Sequence, residues 1–118
     1  NELLQVIINI LNNVKDELSK KDISEKRYLF IDLYKKDENL IMEIKDNAGG
    51  VKPEIIDRIF EPYFTTKHKS KGTGIGLYMC QEIIVKHIKG NIEVSNSNYE
   101  YNGEKLLGAL FKITIPLE

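Results

Sequence analysis

The stretch KSKGTGIGLYMC, residues 69–80, sets three glycines around Thr73 and Ile75 and runs straight into an apolar segment. What stands before those glycines decides the fold. From Phe60 to Gly72 the chain is polar and basic and follows no regular period, so it reads as a loop. The apolar segment reads as a helix that starts near Gly74, runs through Ile83, Ile84 and Val85 to about Ile88, and is ended by Gly90. A dinucleotide-binding βαβ unit needs a strand before its glycines. A P-loop needs G-x-x-x-x-G-K-[ST], which occurs nowhere in the chain. What remains is a loop-to-helix junction, where backbone N–H groups and the positive end of the helix dipole converge on an anion.

Working outward, Leu3, Leu4, Ile7, Ile10, Leu11, Val14 and Leu18 recur at helical spacing and predict one core-facing stripe. Residues 28–34 and 40–46 have strand character, with Asp37-Glu38-Asn39 as the turn between them. Pro53 suits the first position of a short helix running towards Ile59. Ile92 and Val94 alternate with polar neighbours, and Ala109, Phe111, Ile113, Ile115 and Leu117 alternate without a break. Between them Asn102-Gly103 predicts a hairpin, because both residues tolerate positive φ. The order predicts a two-layer α/β (α+β) sandwich, with a mixed sheet and about three helices.

At 118 residues the chain is one domain, and 42% hydrophobic with 30% charged residues describes a soluble, globular composition. A formal charge of −1 gives no global basic field and argues against nucleic acid as a partner. No apolar run is long enough to span a bilayer, and no signal peptide opens the chain. The first helical period is under way without a start signal, so the chain is expected to be part of something longer. A single cysteine, Cys80, excludes an internal disulfide, suits a reducing cytoplasm and is expected to pack as a small apolar residue.

Three groups of residues carry chemistry. Asn9, Asn13 and Asp16 fall together on the first helix, opposite the predicted stripe. They make either a solvated face or a pair of amide oxygens for a hard cation such as Mg²⁺, and asparagine is a poor choice for the former. In DNAGG, residues 46–50, Asp46 shares a face with Leu40, Met42 and Ile44 and needs a donor there. It can cap its own turn, or accept from an exocyclic amino group such as that of adenine, with the glycines behind it admitting a flat ring. In FEPYFTTKHKSKGTGIG, residues 60–76, a run of Lys67, His68, Lys69 and Lys71 leads into the glycines. That run is either a solvated loop or a feed into an anion site.

Together, in this order, the segments resemble the catalytic, ATP-binding domain of sensor histidine kinases, within the superfamily shared with DNA gyrase, mismatch-repair ATPases and a heat-shock chaperone. NILNN at 9–13 is similar to the family's N box, DNAGG at 46–50 to its G1 box, FEPYFTTK from Phe60 to its F box, and GTGIGL at 72–77 to its G2 box. The resemblance covers the whole chain and implies a Bergerat-type sandwich that binds ATP with Mg²⁺. By position it implies that Asn13 is the Mg²⁺ ligand, that Asn9 lines the phosphate side, and that Asp46 accepts from the adenine amino group beside Ala48 and Gly50. It implies a lid over residues 60–73, with Phe60, Thr65, Thr66 and Lys67 in the F box. Gly72, Thr73, Gly74, Ile75, Gly76 and Leu77 would frame the triphosphate.

Two positions depart from the family pattern. Ala48 stands where a glycine is usual, and Asp16 stands where many members carry a basic residue near the γ-phosphate, which leaves Lys15, a lid lysine such as Lys67, or no residue at all to supply that charge. The position of Asn9 separates the superfamily's chemistries. In its hydrolysing members a glutamate there activates water, which an amide cannot do at neutral pH. The resemblance therefore implies phosphoryl transfer to a histidine on an upstream dimerisation hairpin, with a response regulator receiver domain downstream. It also implies a monomeric isolated domain, a homodimeric parent and a cytoplasmic site, the parent being anchored in the bacterial inner membrane. His68 and His87 lie outside any H-box context and are not expected to accept phosphate. A non-catalytic nucleotide sensor and a serine kinase acting on an anti-anti-sigma protein are the alternatives.

Overall fold

The computed structural model describes residues 1–64 and 76–117. The elements are α1 (Glu2–Leu18), β1 (Leu29–Lys36), β2 (Asn39–Asp46), a 3-10 turn (Ile56–Arg58), α2 (Gly76–Glu82), a π-turn (Ile83–His87) continuing α2, β3 (Asn91–Tyr101) and β4 (Glu104–Pro116). The helices cover one face of a four-stranded sheet of order β1-β2-β4-β3. This is the predicted two-layer sandwich. The sheet, however, is antiparallel at every neighbouring pair and not mixed. β2 and β3 do run in the same direction, as a helical crossover requires, but the β3–β4 hairpin folds back so that β4 is inserted between them.

Between the layers lie Val6, Ile10 and Val14 of α1, Cys80 of α2, Ile83 and Ile84 of its continuation, and Ile44, Ile92, Phe111 and Ile113 of the sheet. Each large aliphatic removed from water there contributes roughly 1.5–3 kcal/mol. Cys80 is fully buried, its thiol donating weakly to the Val6 carbonyl at 3.7 Å, and burial pushes its pKa up to about 11. It is a packing residue, as the sequence predicts.

The buried arc of α1 is centred differently from the predicted stripe. Val6, not part of that stripe, is completely buried, while Leu4 is 54% exposed. At about 100° per residue, Val6 lies about 20° from Asn13 and about 60° from Asn9. The two asparagines therefore border the core-facing arc and are half-buried, where the sequence reading set them opposite it. The helix opens on Asn1, whose Oδ1 accepts the Leu4 N–H at 3.2 Å, a start signal that the sequence reading passed over.

The turns follow their side chains. Asn102 and Gly103 adopt φ of 51° and 80° and join β3 to β4 directly, as predicted. The β1–β2 turn is tighter than expected: Asp37 and Glu38 take φ of 52° and 63°, and Asn39 already pairs with Lys36. The expected helix after Pro53 is reduced to the 3-10 turn at Ile56–Arg58. At the far end of α2 the left-handed residue is Lys89, at φ 67°, and not Gly90. Gly90 has a different reason to be glycine, because a Cβ there would lie 2.1 Å from the Thr114 carbonyl oxygen. No helix among the described residues is long and apolar enough to cross a membrane.

These two neighbours should respond oppositely to substitution. Gly90→Ala must push β4 away and is expected to cost about 1–3 kcal/mol, the scale of an overpacked site. Lys89→Gly relieves a left-handed L-residue and is expected to be neutral or stabilising, by up to about 1 kcal/mol. Urea unfolding of both variants checks this, and loss of stability in Lys89→Gly would contradict it.

Candidate functional site

The acceptor loop is built from the end of β2 outward. Asp46 is only 2% exposed. A carboxylate in that position needs donors, and it has two: the Ala48 N–H at 2.9 Å and the Ala109 N–H at 3.1 Å. Both bonds fall on Oδ1. No buried side-chain oxygen among the described residues lacks a partner, so Oδ2 is the atom of this carboxylate left facing outward. Of the two roles open to it in sequence, Asp46 is seen here in the first, capping its own turn with Oδ1, while Oδ2 has no partner among the described residues.

The rest of the loop is held just as closely. Gly49 and Gly50 adopt φ of 102° and 81°, and the Gly49 N–H donates to the Leu107 carbonyl at 2.9 Å. A Cβ on Gly50 would lie 2.7 Å from Asn96 Oδ1. That Asn96 amide clamps Val51 from both sides, accepting its N–H and donating to its carbonyl, each at 2.7 Å. Asn47, also buried, accepts the Tyr28 N–H at 2.8 Å and donates to the Lys26 carbonyl at 3.1 Å, fixing the segment that leads into β1. Asn47 and Asn96 were not singled out in sequence, because nothing local marks contacts 19 and 21 positions away for Asn47 or 45 away for Asn96. Ala48 keeps the turn that a glycine would make; it carries no positive φ, and its N–H is a cap donor.

On the helical side, α1 meets the start of α2. Asn9 Oδ1 lies 3.4 Å from where a Cβ on Gly76 would stand, which places the asparagine side chain against the first residue of α2. Among the described residues, neither the Asn9 nor the Asn13 side chain has a hydrogen-bond partner. Leu77 and Phe60 are both packed against the core, and Arg58 stacks 4.6 Å from the Phe64 ring centre. Thr65, Thr66, Lys67, His68, Gly72, Thr73, Gly74 and Ile75 lie outside the described residues. His87 is exposed, with Nδ1 2.7 Å from Glu2 Oε2, and makes no contact with the acceptor loop.

These groups fit a nucleotide with a metal: a carboxylate oxygen to accept from an amino group, and two half-buried amides one turn apart on α1. No group of three or more His, Cys, Asp or Glu among the described residues makes a metal centre of its own, so a cation here would share phosphate oxygens and water. Burial raises the Asp46 pKa above its ordinary 3.8, opposed by the Ala48 and Ala109 N–H bonds; nearby Glu17 raises it further and Lys21 lowers it. A carboxyl raised on folding binds protons more readily in the folded state. The Asp46 contribution to stability is therefore greatest below the unfolded value and declines as pH rises from 3.8 through the folded value. Asp46→Asn keeps the Oδ1 acceptor and removes the charge. It is expected to remove this decline and to leave neutral-pH stability unchanged or higher, as urea unfolding across that window would show.

Across residues 1–118 the chain matches the family described as histidine kinase-, DNA gyrase B-, and HSP90-like ATPase. It is 36% identical over 118 residues to the two-component sensor PprA of Pseudomonas aeruginosa, covering 98% of this chain and 12% of that protein. It is 35% identical over 118 residues to the sensor protein KdpD of Clostridium acetobutylicum, covering 97% and 12%. Sporulation kinase C of Bacillus subtilis is 29% identical, with coverage of 100% and 24%. Among solved structures, the catalytic domain of histidine kinase ThkA superposes with a TM-score of 0.74 at 26% identity, over 98% of this chain and 66% of that one. The chain thus spans between 12% and 24% of the length of these curated relatives. On the strength of the family match over its whole length, the chain belongs to the histidine kinase-, DNA gyrase B- and HSP90-like ATPases, as an ATP-binding catalytic domain of the sensor histidine kinase type.

Proposed function

We propose that this domain binds Mg-ATP and passes its γ-phosphoryl group to a histidine on a dimerisation hairpin elsewhere in the same longer protein. A response regulator receiver domain would then take the phosphoryl group. The observation that carries this reading is the division of labour at Asp46, with Oδ1 spent on the Ala48 and Ala109 N–H groups and Oδ2 left without a partner among the described residues. That geometry suits one donor from a ligand, and the adenine amino group supplies it. Gly50, where a Cβ would lie 2.7 Å from Asn96 Oδ1, lets Asn96 close on the loop behind Asp46 and hold its shape.

Phosphoryl transfer asks little covalent chemistry of the protein, and positioning with charge neutralisation does most of the work. Asn13 would hold Mg²⁺, which when bound draws charge from the phosphate oxygens. Asn9, against Gly76, would orient the phosphates without deprotonating water, since an amide is no base at neutral pH. Phosphate is thereby kept for transfer and not lost to hydrolysis. Thr65, Thr66, Lys67, Gly72, Thr73, Gly74 and Ile75 are proposed to complete the triphosphate enclosure, with Lys67 or Lys15 supplying the cation that Asp16 does not. The boxes at 9–13, 46–50 and 72–77 and the lid at 60–73 would be the working units. The parent protein is proposed to be a homodimer with this domain in the cytoplasm, anchored through another segment to the inner membrane.

Three outcomes test this. The longer protein, incubated with γ-labelled ATP and Mg²⁺, should acquire label that survives base and is lost in acid. Acid-stable label would favour a serine kinase, and no label with intact Mg-ATP binding would favour a nucleotide sensor. Asn13→Ala should slow labelling by roughly a hundredfold, the scale of one lost charge-stabilising contact, while metal-free ATP binding is unchanged. Asp46→Asn turns a donor towards the adenine amino group and should weaken ATP binding by at least about a hundredfold. Calorimetry showing unchanged affinity would remove Asp46 from the site.

A further inference from the structure

Asp46 is held from behind as well as from the front. Its backbone carbonyl accepts the hydroxyl of Tyr99, on β3, at 2.7 Å. β4 passes close to the same carbonyl: a Cβ on Gly108 would lie 1.6 Å from that oxygen, so no side chain can stand between the strand and the aspartate. The Tyr99 ring is itself fixed. It meets Phe30 edge-on at 5.8 Å between centroids, and Lys45 Nζ sits 4.1 Å from its centre. β1, β2 and β3 thus converge on one phenol, and the one polar atom of that phenol points at Asp46.

Two points fix the Asp46 side chain at Oδ1. They leave the carboxylate able to swing about that oxygen if the peptide plane behind it turns. From the third point we infer that Tyr99 is a positioning residue for adenine recognition: by holding the Asp46 carbonyl it sets the direction in which Oδ2 faces. The inference rests on Asp46 being the amino-group acceptor. Burial first, and the Asp46 charge second, raise the Tyr99 pKa above 10.0, so at neutral pH the hydroxyl keeps the proton it donates. Tyr99→Phe removes that donor and retains the ring contacts with Phe30 and Lys45.

The test is calorimetric titration of the chain, of Tyr99→Phe and of Asp46→Asn with ATP and with purine riboside triphosphate, which lacks the 6-amino group. Tyr99→Phe is expected to weaken ATP by about three- to tenfold, the worth of one hydrogen bond, and to leave purine riboside triphosphate unchanged. Equal weakening of both nucleotides would mean that Tyr99 merely supports the fold, and would overturn the inference. Unchanged ATP affinity in Tyr99→Phe, with ATP lost in Asp46→Asn, would overturn it while leaving the acceptor reading intact. Unchanged ATP affinity in Asp46→Asn would remove the acceptor reading itself.

Discussion

A nearly buried carboxylate at the end of a central strand is the constraint on which the site depends. Asp46 can occupy that position only because Ala48 and Ala109 bring N–H groups to one of its oxygens. Ala109 can do so only because β4 lies beside β2, in the register that pairs Lys45 with Leu110. The antiparallel insertion of β4 between β2 and β3 is therefore more than a topological detail. It delivers the donor, the glycine at 108 that admits close approach, and the hairpin arm carrying Tyr99 and Asn96. The loop that would meet a base is shaped by a hairpin about fifty residues later in the chain.

The helical layer answers a different demand. α1 must contribute Val6, Ile10 and Val14 to the core and also keep Asn9 and Asn13 at the edge of that arc. A polar pair on the far side would face water and could not meet α2. Moved towards the core, the amides would need protein partners in place of a ligand. At the border they stay half-buried, with Asn9 beside Gly76. In the proposed function, asparagine at position 9 would favour transfer over hydrolysis, because it offers no base to a water molecule.

Much of this was legible in the residue pattern because it is local. The unbroken alternation from Ala109 to Leu117 announced β4, and Asn102-Gly103 announced its hairpin. DNAGG announced a turn with a carboxylate and glycines. What sequence could not give was long-range placement. The period of α1 fits several centres for the buried arc, and only packing on α2 and the sheet selects Val6 over Leu4. The β2–β4 pairing, the clamp of Asn96 on Val51 and the bond from Tyr99 to Asp46 join residues 45 or more positions apart, and no window of sequence contains both ends. Gly90 shows the same limit in miniature: its role as a helix stop was a local guess, whereas its cause is the Thr114 carbonyl on another strand.

The most direct test of the central claim is a crystal structure of the domain with a non-hydrolysable ATP analogue. The account predicts the adenine amino group within hydrogen-bond distance of Asp46 Oδ2, with Oδ1 still bound by the Ala48 and Ala109 N–H groups. An adenine ring placed elsewhere, or an Asp46 that gives up Oδ1 to reach it, would contradict the account.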